Sequence, residues 1–315
     1  MIFTVNEVIK SKVKFSSADL LKIDEQNDLV EKFDGQWIEN PFLRYFGCYY
    51  IGHNEILNAN ELYIVHFYNR KMNPLEFNII GEEMNELIKL VEEDYDLKNV
   101  YYQVFLKEET PFELFNQLKG TILSDFIPIT YTMTKNIADN PANNKIFELF
   151  KIRTANENDM DNVLACLTQA YLNAYEVDLY GEEPLRSLEI NVKDYHKPLL
   201  KDCLILVAEV NGVFAGHISF EIINRGNKEL TPLKLVDIFV VDSYKGLGIG
   251  TALIEEGETF ALNNNFNLLV GTVDIIAGEK GIHKSKEIIK SLEESYWKRE
   301  SLIFIKNLRI KESLQ

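Results

Sequence analysis

The stretch "VVDSYKGLGIGTALIEEGETFA", residues 240–261, sets Gly246, Gly248 and Gly250 between an apolar run and a helix-like segment. Glycine is costly to order, so such a cluster marks a place where something must come close to the main chain. The first N–H groups of a helix have no acceptor inside it, and the helix dipole adds partial positive charge there. A strand that feeds a glycine-rich turn into a helix is therefore a socket for an anion, above all a phosphate.

Spacing separates the kinds of phosphate loop. A Walker loop needs Gly, four residues, then Gly-Lys-Ser/Thr, whereas Lys245 precedes the glycines here and no lysine follows them directly. The dinucleotide fingerprint needs G-x-G-x-x-G, and "GLGIG" gives G-x-G-x-G with no alternating parallel strand–helix pattern around it. The structural alternative is a turn that merely tightens strand-to-helix packing.

Working outward, "FKIRTA" (150–155) reads as a strand, and Met160, Val163, Leu164, Leu167 and Tyr171 follow at helical spacing. "CLILVAEV" (203–210) and "VFAGHISFEII" (213–223) are strands joined by Asn211-Gly212, the dipeptide of a type I′ hairpin. "LKLVDIFVV" (233–241) is the strand before the glycines. Ile249, Leu253, Phe260 and Ala261 share a face of the helix after them, with Gly257 placed for close packing on the sheet. A strand at 266–276, a helix at 284–299 and a last strand at 301–308 complete this half.

The first half is less legible up to "FGCYYIGHNE". Then come a strand at 61–68, a helix at 81–95 with Met84, Leu87, Ile88, Val91 and Tyr95 on one face, and a strand at 99–106. A short helix at 110–118 and a strand or hairpin at 126–137 follow. This order repeats that of residues 233–308, which suggests a degenerate internal repeat. "ADNPANNK" (138–145) reads as the linker.

Composition narrows the function. The formal net charge is -16, and both halves contribute: 24 acids against 14 bases in residues 1–150, then 25 against 19. Such a surface repels phosphate backbones, so a nucleic-acid partner is not expected. Cys48, Cys166 and Cys203 are too few and too widely spaced for a disulfide framework or a zinc site. The histidines at 53, 66, 196 and 283 show no metal-ligand spacing either. With no signal-like leader and no long apolar run, a cytoplasmic protein without membrane contact is expected.

The segment "VDIFVVDSYKGLGIGTALIEE" resembles the acetyl-coenzyme A loop of the GNAT superfamily of N-acetyltransferases. "IRTANENDMDNVLACLTQAY" and "CLILVAEVNGVFAGHISFEII" resemble that family's first strand and helix and its second and third strands. The resemblance implies an α/β (α+β) protein of two tandem GNAT-like domains, each a mixed, mostly antiparallel sheet flanked by helices. Residues 1–140 would be a degenerate copy without the loop, and 150–315 the acetyltransferase domain. The copy's counterpart of the loop, "NRKMNPLEFNIIGEE", lacks G-x-G, and Pro74 removes one N–H.

The implied reaction moves an acetyl group from acetyl-CoA, the cosubstrate, to a primary amine of a small molecule or a protein, without a metal. An acyl-CoA sensor or a structural protein is the alternative, and a homodimer is compatible with such a chain. Backbone of Lys245, Gly246, Leu247, Gly248, Ile249, Gly250 and Thr251 would hold the pyrophosphate. Lys245 stands where the family has Arg or Gln and lacks a bidentate fork. Ile238, Phe239 and Val240 would pair with the pantetheine arm, in a gap where this strand and the next part. Asp237 and Glu221 are the candidate bases, with His217 a lesser one, and Tyr296 is the candidate acid. "SYWKRESL" departs from the family's Tyr-x-Lys-x-Gly-Phe pattern, which leaves Tyr296 equally readable as a packed aromatic.

Overall fold

The computed structural model describes residues 17–40, 45–68, 74–105, 125–137, 149–175, 185–222, 232–275 and 279–308. The protein is mixed α/β, with mostly antiparallel strand pairing and helices on the strands. It divides into two compact units, Met1–Thr132 with Arg299–Gln315, and Met133–Lys298.

In the first unit, helix α1 (Ser17–Lys32) precedes strands β1 (Gln36–Asn40), β2 (Tyr45–Asn54) and β3 (Ala59–Tyr68). Helix α2 (Pro74–Glu92) and strand β4 (Leu97–Phe105) follow. β1, β2 and β3 pair antiparallel, and β4 runs parallel to β3 across the α2 crossover. α2 begins at Pro74, where the ring costs nothing because the first helical N–H is unpaired anyway. It buries Phe77, Ile80, Met84, Ile88 and Val91 at three- and four-residue steps. Ile23 and Val30 of α1 pack with Trp37, Cys48, Tyr50, Val65, Phe67 and Phe105. Burial pushes the Cys48 thiol well up, so it is an inert apolar side chain.

The second unit receives the end of strand β5 (Ile127–Asn136) and then strand β6 (Lys151–Thr154). Helices α3 (Met160–Tyr175) and α4 (Leu185–Leu199) lead to strands β7 (Cys203–Val210), β8 (Val213–Ile222) and β9 (Pro232–Val240). Helix α5 (Ile249–Asn263), strand β10 (Leu268–Asp274) and helix α6 (Glu279–Glu294) complete it. β6, β7, β8 and β9 pair antiparallel in that order, and β10 runs parallel to β9. Asn211 and Gly212 hold φ of 52° and 77°, the left-handed pair a type I′ hairpin requires. Val163 and Leu167 of α3 pack on Ile205 and Val207 of β7.

The last strand departs from expectation. β11 (Lys298–Asn307) pairs antiparallel with β4 from Ser301↔Phe105 to Asn307↔Asn99 and so belongs to the first unit. The division expected at 138–145 falls between Thr132 and Met133, and the stretch 138–148 lies outside the described residues. So does the short helix expected at 110–118. Both units nonetheless share one sequence of elements. An antiparallel pair (β2–β3, β8–β9) leads through a helix to a parallel neighbour (β4, β10).

One ion pair is almost fully enclosed. Lys135 Nζ lies 2.7 Å from Glu258 Oε1 on α5, with the two side chains 5% and 3% exposed. Burial raises the Glu258 carboxyl above its usual range, against the pull of Lys135 and of the Trp297 indole. Breaking such a pair strands a charge, so Lys135→Met is expected to cost about 3–5 kcal/mol in urea unfolding, and the double variant Lys135→Met/Glu258→Met to recover most of it.

In the first unit, burial lowers the His66 imidazole to about 3. Only the unfolded chain then takes up a proton between the ordinary histidine range and that value, so stability is complete above pH 6.5 and falls on acidification. Urea midpoints should show this as a slope of up to about 1.4 kcal/mol per pH unit below pH 6.5 that His66→Phe removes.

Candidate active site

The site is built around one strand edge. β8 pairs with β9 along its length, from Ile222↔Leu233 to Gly216↔Val240. β10 pairs with β9 only at Leu268↔Pro232, Leu269↔Leu233 and Val270↔Lys234. From Leu235 onward β9 has a ladder on one side, and Leu235 to Val240 are all half-buried. The backbone groups of Ile238, Phe239 and Val240 on the β10 side are free for another extended partner.

At the end of β9 the Val241 N–H returns to the Ala215 carbonyl, and a single tight turn covers Asp242–Tyr244. Lys245 is exposed and ion-paired with Asp242. Gly246 and Gly248 hold φ of 83° and 82°. A Cβ at either would meet nothing within 4 Å, so the protein itself leaves that side of the turn open. Ile249 is buried and pins the start of α5. Gly248 is the N-cap, and no side chain caps the helix. The first helical bond runs from the Ala252 N–H to the Gly248 carbonyl, so the amides of Ile249, Gly250 and Thr251 stand ahead of the ladder. These residues could hold a pyrophosphate.

Gly250 differs from the other two. A Cβ there would meet Val240 Cγ2 at 3.7 Å, an ordinary contact. Gly257, deeper in α5, is needed for packing: a Cβ would lie 2.3 Å from the Phe220 ring.

On the other face of the strands sits a polar group. Between Ser219 and Phe220 the β8–β9 register shifts, leaving Val236 as an extra residue on β9. Leu235 is opposite Phe220, which faces α5, while Asp237 is opposite Ser219 and lies on the other face. The bulge thus turns Asp237 away from α5. It brings Asp237 Oδ2 to 3.1 Å from His217 Nε2, with the side chains 12% and 0% exposed. The approach is off the line a hydrogen bond requires, and His217 Nδ1, His217 Nε2, Asp237 Oδ2 and the buried Ser219 Oγ have no hydrogen-bond partner.

The helices α3 and α4 cover this group. The Tyr171 and His196 rings stand 4.4 Å apart, and Tyr195 meets His196 edge-on. Burial, then Asp237, Asp274 and Tyr195, push the Tyr171 hydroxyl up to about 12. Burial and then Asp237 raise Cys166 to about 11. Burial lowers the His196 imidazole against a bond from Nδ1 to the Val192 carbonyl and the nearby Asp237 charge.

Of the candidate bases, Asp237 therefore sits with a buried histidine, and Glu221 does not. Glu221 is exposed at the far end of β8, paired with Lys234 at 3.4 Å. Tyr296, the candidate acid, lies in the turn after α6 with φ of 67° and is 61% exposed. Its neighbour Trp297 takes the buried place instead. Ser219 and the Tyr171–His196 pair were not singled out from sequence; the polar His217-x-Ser219 alternation inside an apolar strand is a signal for Ser219, whereas the aromatic pair joins two helices and has no local one. Among the described residues no cluster of side chains could hold a metal ion, and no helix is long and apolar enough to cross a membrane.

An uncapped helix start beside a strand edge without a ladder is an arrangement that could take an extended, anionic ligand. Residues 168–275 match the model of the Acetyltransferase (GNAT) family, and this segment is a GNAT domain, which places it among acyl-transferring proteins. Solved structures share the fold across both units. A GCN5-related N-acetyltransferase from Sphaerobacter thermophilus is 12% identical, with 91% of this chain and 86% of that chain covered and a TM-score of 0.51. A functionally unknown conserved protein from Staphylococcus epidermidis is 12% identical, with 88% and 97% covered and a TM-score of 0.50. No curated protein matches the chain.

The glycines separate in experiment. Gly248→Ala places a side chain in the left-handed region and is expected to cost about 1–2 kcal/mol, whereas Gly250→Ala is expected to leave the melting temperature unchanged. Gly257→Ala should cost about 1–3 kcal/mol through its clash with Phe220, and Phe220→Leu in the same chain should relieve it.

Proposed function

We propose that the chain transfers an acetyl group from acetyl-CoA to a primary amine, of a small molecule or a protein. The observation that carries this reading is the open, uncapped start of α5 beside the unpaired edge of β9. Charge and shape both fit. The amides of Ile249, Gly250 and Thr251, with the dipole behind them, favour a pyrophosphate. Lys245 adds a cation once it leaves Asp242. The free N–H and C=O groups of Ile238 to Val240 suit a pantetheine arm, whose amides would bond as an added strand does. When bound, acetyl-CoA supplies a thioester carbonyl to the gap between β9 and β10, where an amine attacks it.

Asp237 is the base this geometry supports, because it stands on β9, the strand that borders the gap, and is already partly withdrawn from water. A second reading rests on Tyr296. Its exposed, left-handed turn offers no evident acid for the leaving thiolate, which favours a protein that binds an acyl-CoA and turns it over slowly or not at all.

Calorimetry with acetyl-CoA tests the socket. Micromolar binding is expected in the wild type, with Gly248→Glu at least about 100-fold weaker, roughly 2.7 kcal/mol. Gly248→Ala carries the same backbone strain without the charge and should lose far less. No heat at millimolar acetyl-CoA would end the enzymatic reading. Thiol release with amines present separates enzyme from sensor, since tight binding without turnover favours the latter.

A further inference from the structure

We propose that His217 and Asp237 form a two-residue proton relay that serves the attacking amine, with His217 as the terminal acceptor. The proposal deepens the acetyltransferase reading and rests on it. Its basis is the buried polar group on the α3–α4 face of β8 and β9. His217 is fully buried, yet neither ring nitrogen has a hydrogen-bond partner, and Ser219 Oγ beside it has none. Native interiors rarely leave such groups unmatched, because a buried polar atom without a partner loses its hydrogen bonds to water and gains none in return. A charge change during a working cycle explains why they are kept.

The geometry sets the order of transfer. Asp237 is the partly exposed member and lies on β9, next but one to Phe239 on the strand edge that borders the gap. His217 lies behind it, across the ladder, with Nε2 at 3.1 Å from Oδ2. A proton accepted by the carboxylate from the substrate ammonium therefore passes to the imidazole, leaving an imidazolium beside a carboxylate. The attraction between the two opposite charges offsets the cost of holding them away from water. As the nitrogen–carbon bond forms, the carbon–sulfur bond breaks. The amine's second proton leaves with the sulfur as thiol, and the imidazolium returns its proton to solvent by way of the partly exposed Asp237 carboxylate.

The groups that face the pair do not compete with it. On α3, Cys166 and Tyr171 are held protonated and neutral by burial and by Asp237 itself. On α4, burial favours neutral His196, and Tyr195 faces His196 edge-on. From β10, Asp274 adds a second negative charge at Tyr171. Among the described residues no lysine or arginine is ion-paired with Asp237, and the imidazole of His217 is the group that stands against its carboxylate.

Asp237 contacts substrate in this scheme, and His217 is a positioning and proton-storing residue behind it. The test uses the full-length protein, acetyl-CoA and a panel of spermidine, tyramine, glucosamine and lysine methyl ester. His217→Gln keeps the size and polarity of the side chain but cannot hold the proton. It should lower kcat at least about 30-fold, with unchanged KM for acetyl-CoA and an unchanged melting temperature. Asp237→Asn should do the same, and the double variant should be no slower than the slower single one, because a relay fails as a unit. His217→Ala with added imidazoles should regain rate in proportion to their basicity. Near-normal kcat in His217→Gln, or losses that multiply in the double variant, would overturn the relay.

A second measurement needs no acceptor. In protein carrying 15N-histidine, Asp237→Asn should move the ring-nitrogen signals of His217 and leave those of His53 in place. Unmoved His217 signals would overturn the pairing even if acetyl-CoA binds. Failure of acetyl-CoA to bind, with the signals moved, would instead sink the acetyltransferase reading and leave the pair standing.

Discussion

β9 has two neighbours at its start and one at its end, and the rest of the domain follows from that. Three paired residues hold β10 to it, and then the parallel ladder stops. Parallel pairs are less stable per residue than antiparallel ones, so the β9–β10 side is the cheaper one to leave open. The antiparallel β8 ladder on the other side holds β9 in place up to Val240, just ahead of the glycine turn. The unpaired edge and the uncapped helix start are therefore one arrangement. Pairing β10 fully would satisfy the strand and close the place where a ligand chain could lie.

The same strand works on both faces. Val240 touches the start of α5, while Phe239 lies opposite His217 on the α3–α4 side. One extra residue, Val236, decides which of these faces Asp237 joins. Were the ladder regular there, with Val236 paired, Asp237 would share the face of Leu235 toward α5, where a carboxylate would meet an apolar helix face instead of a histidine.

Much of this was legible in the residues. The Asn211-Gly212 turn, the stripe from Met160 to Tyr171 and the three glycines each have a local cause, and each appears where that cause puts it. What could not be read depends on distant partners or on conformations that the sequence does not advertise. Among its described side chains α1 buries Ile23, Gln26 and Val30, and the polar Gln26 interrupts the apolar stripe, so its periodicity is faint. α6 ends earlier than its helical composition suggests, because Tyr296 takes a left-handed turn without being glycine. A bulge such as that at Val236 leaves no mark in an apolar run. The partner of β11 is set by a strand about two hundred residues earlier, which no local pattern can reveal.

That last pairing bears on how the protein is made. β4 emerges from the ribosome early, but its antiparallel neighbour β11 is among the last segments synthesised. One edge of the first sheet must wait, bare, while the whole second unit is translated. An unpaired strand edge is an invitation to aggregation, so this chain depends on finishing translation before its first half can close. No single cut in the gene yields two intact halves.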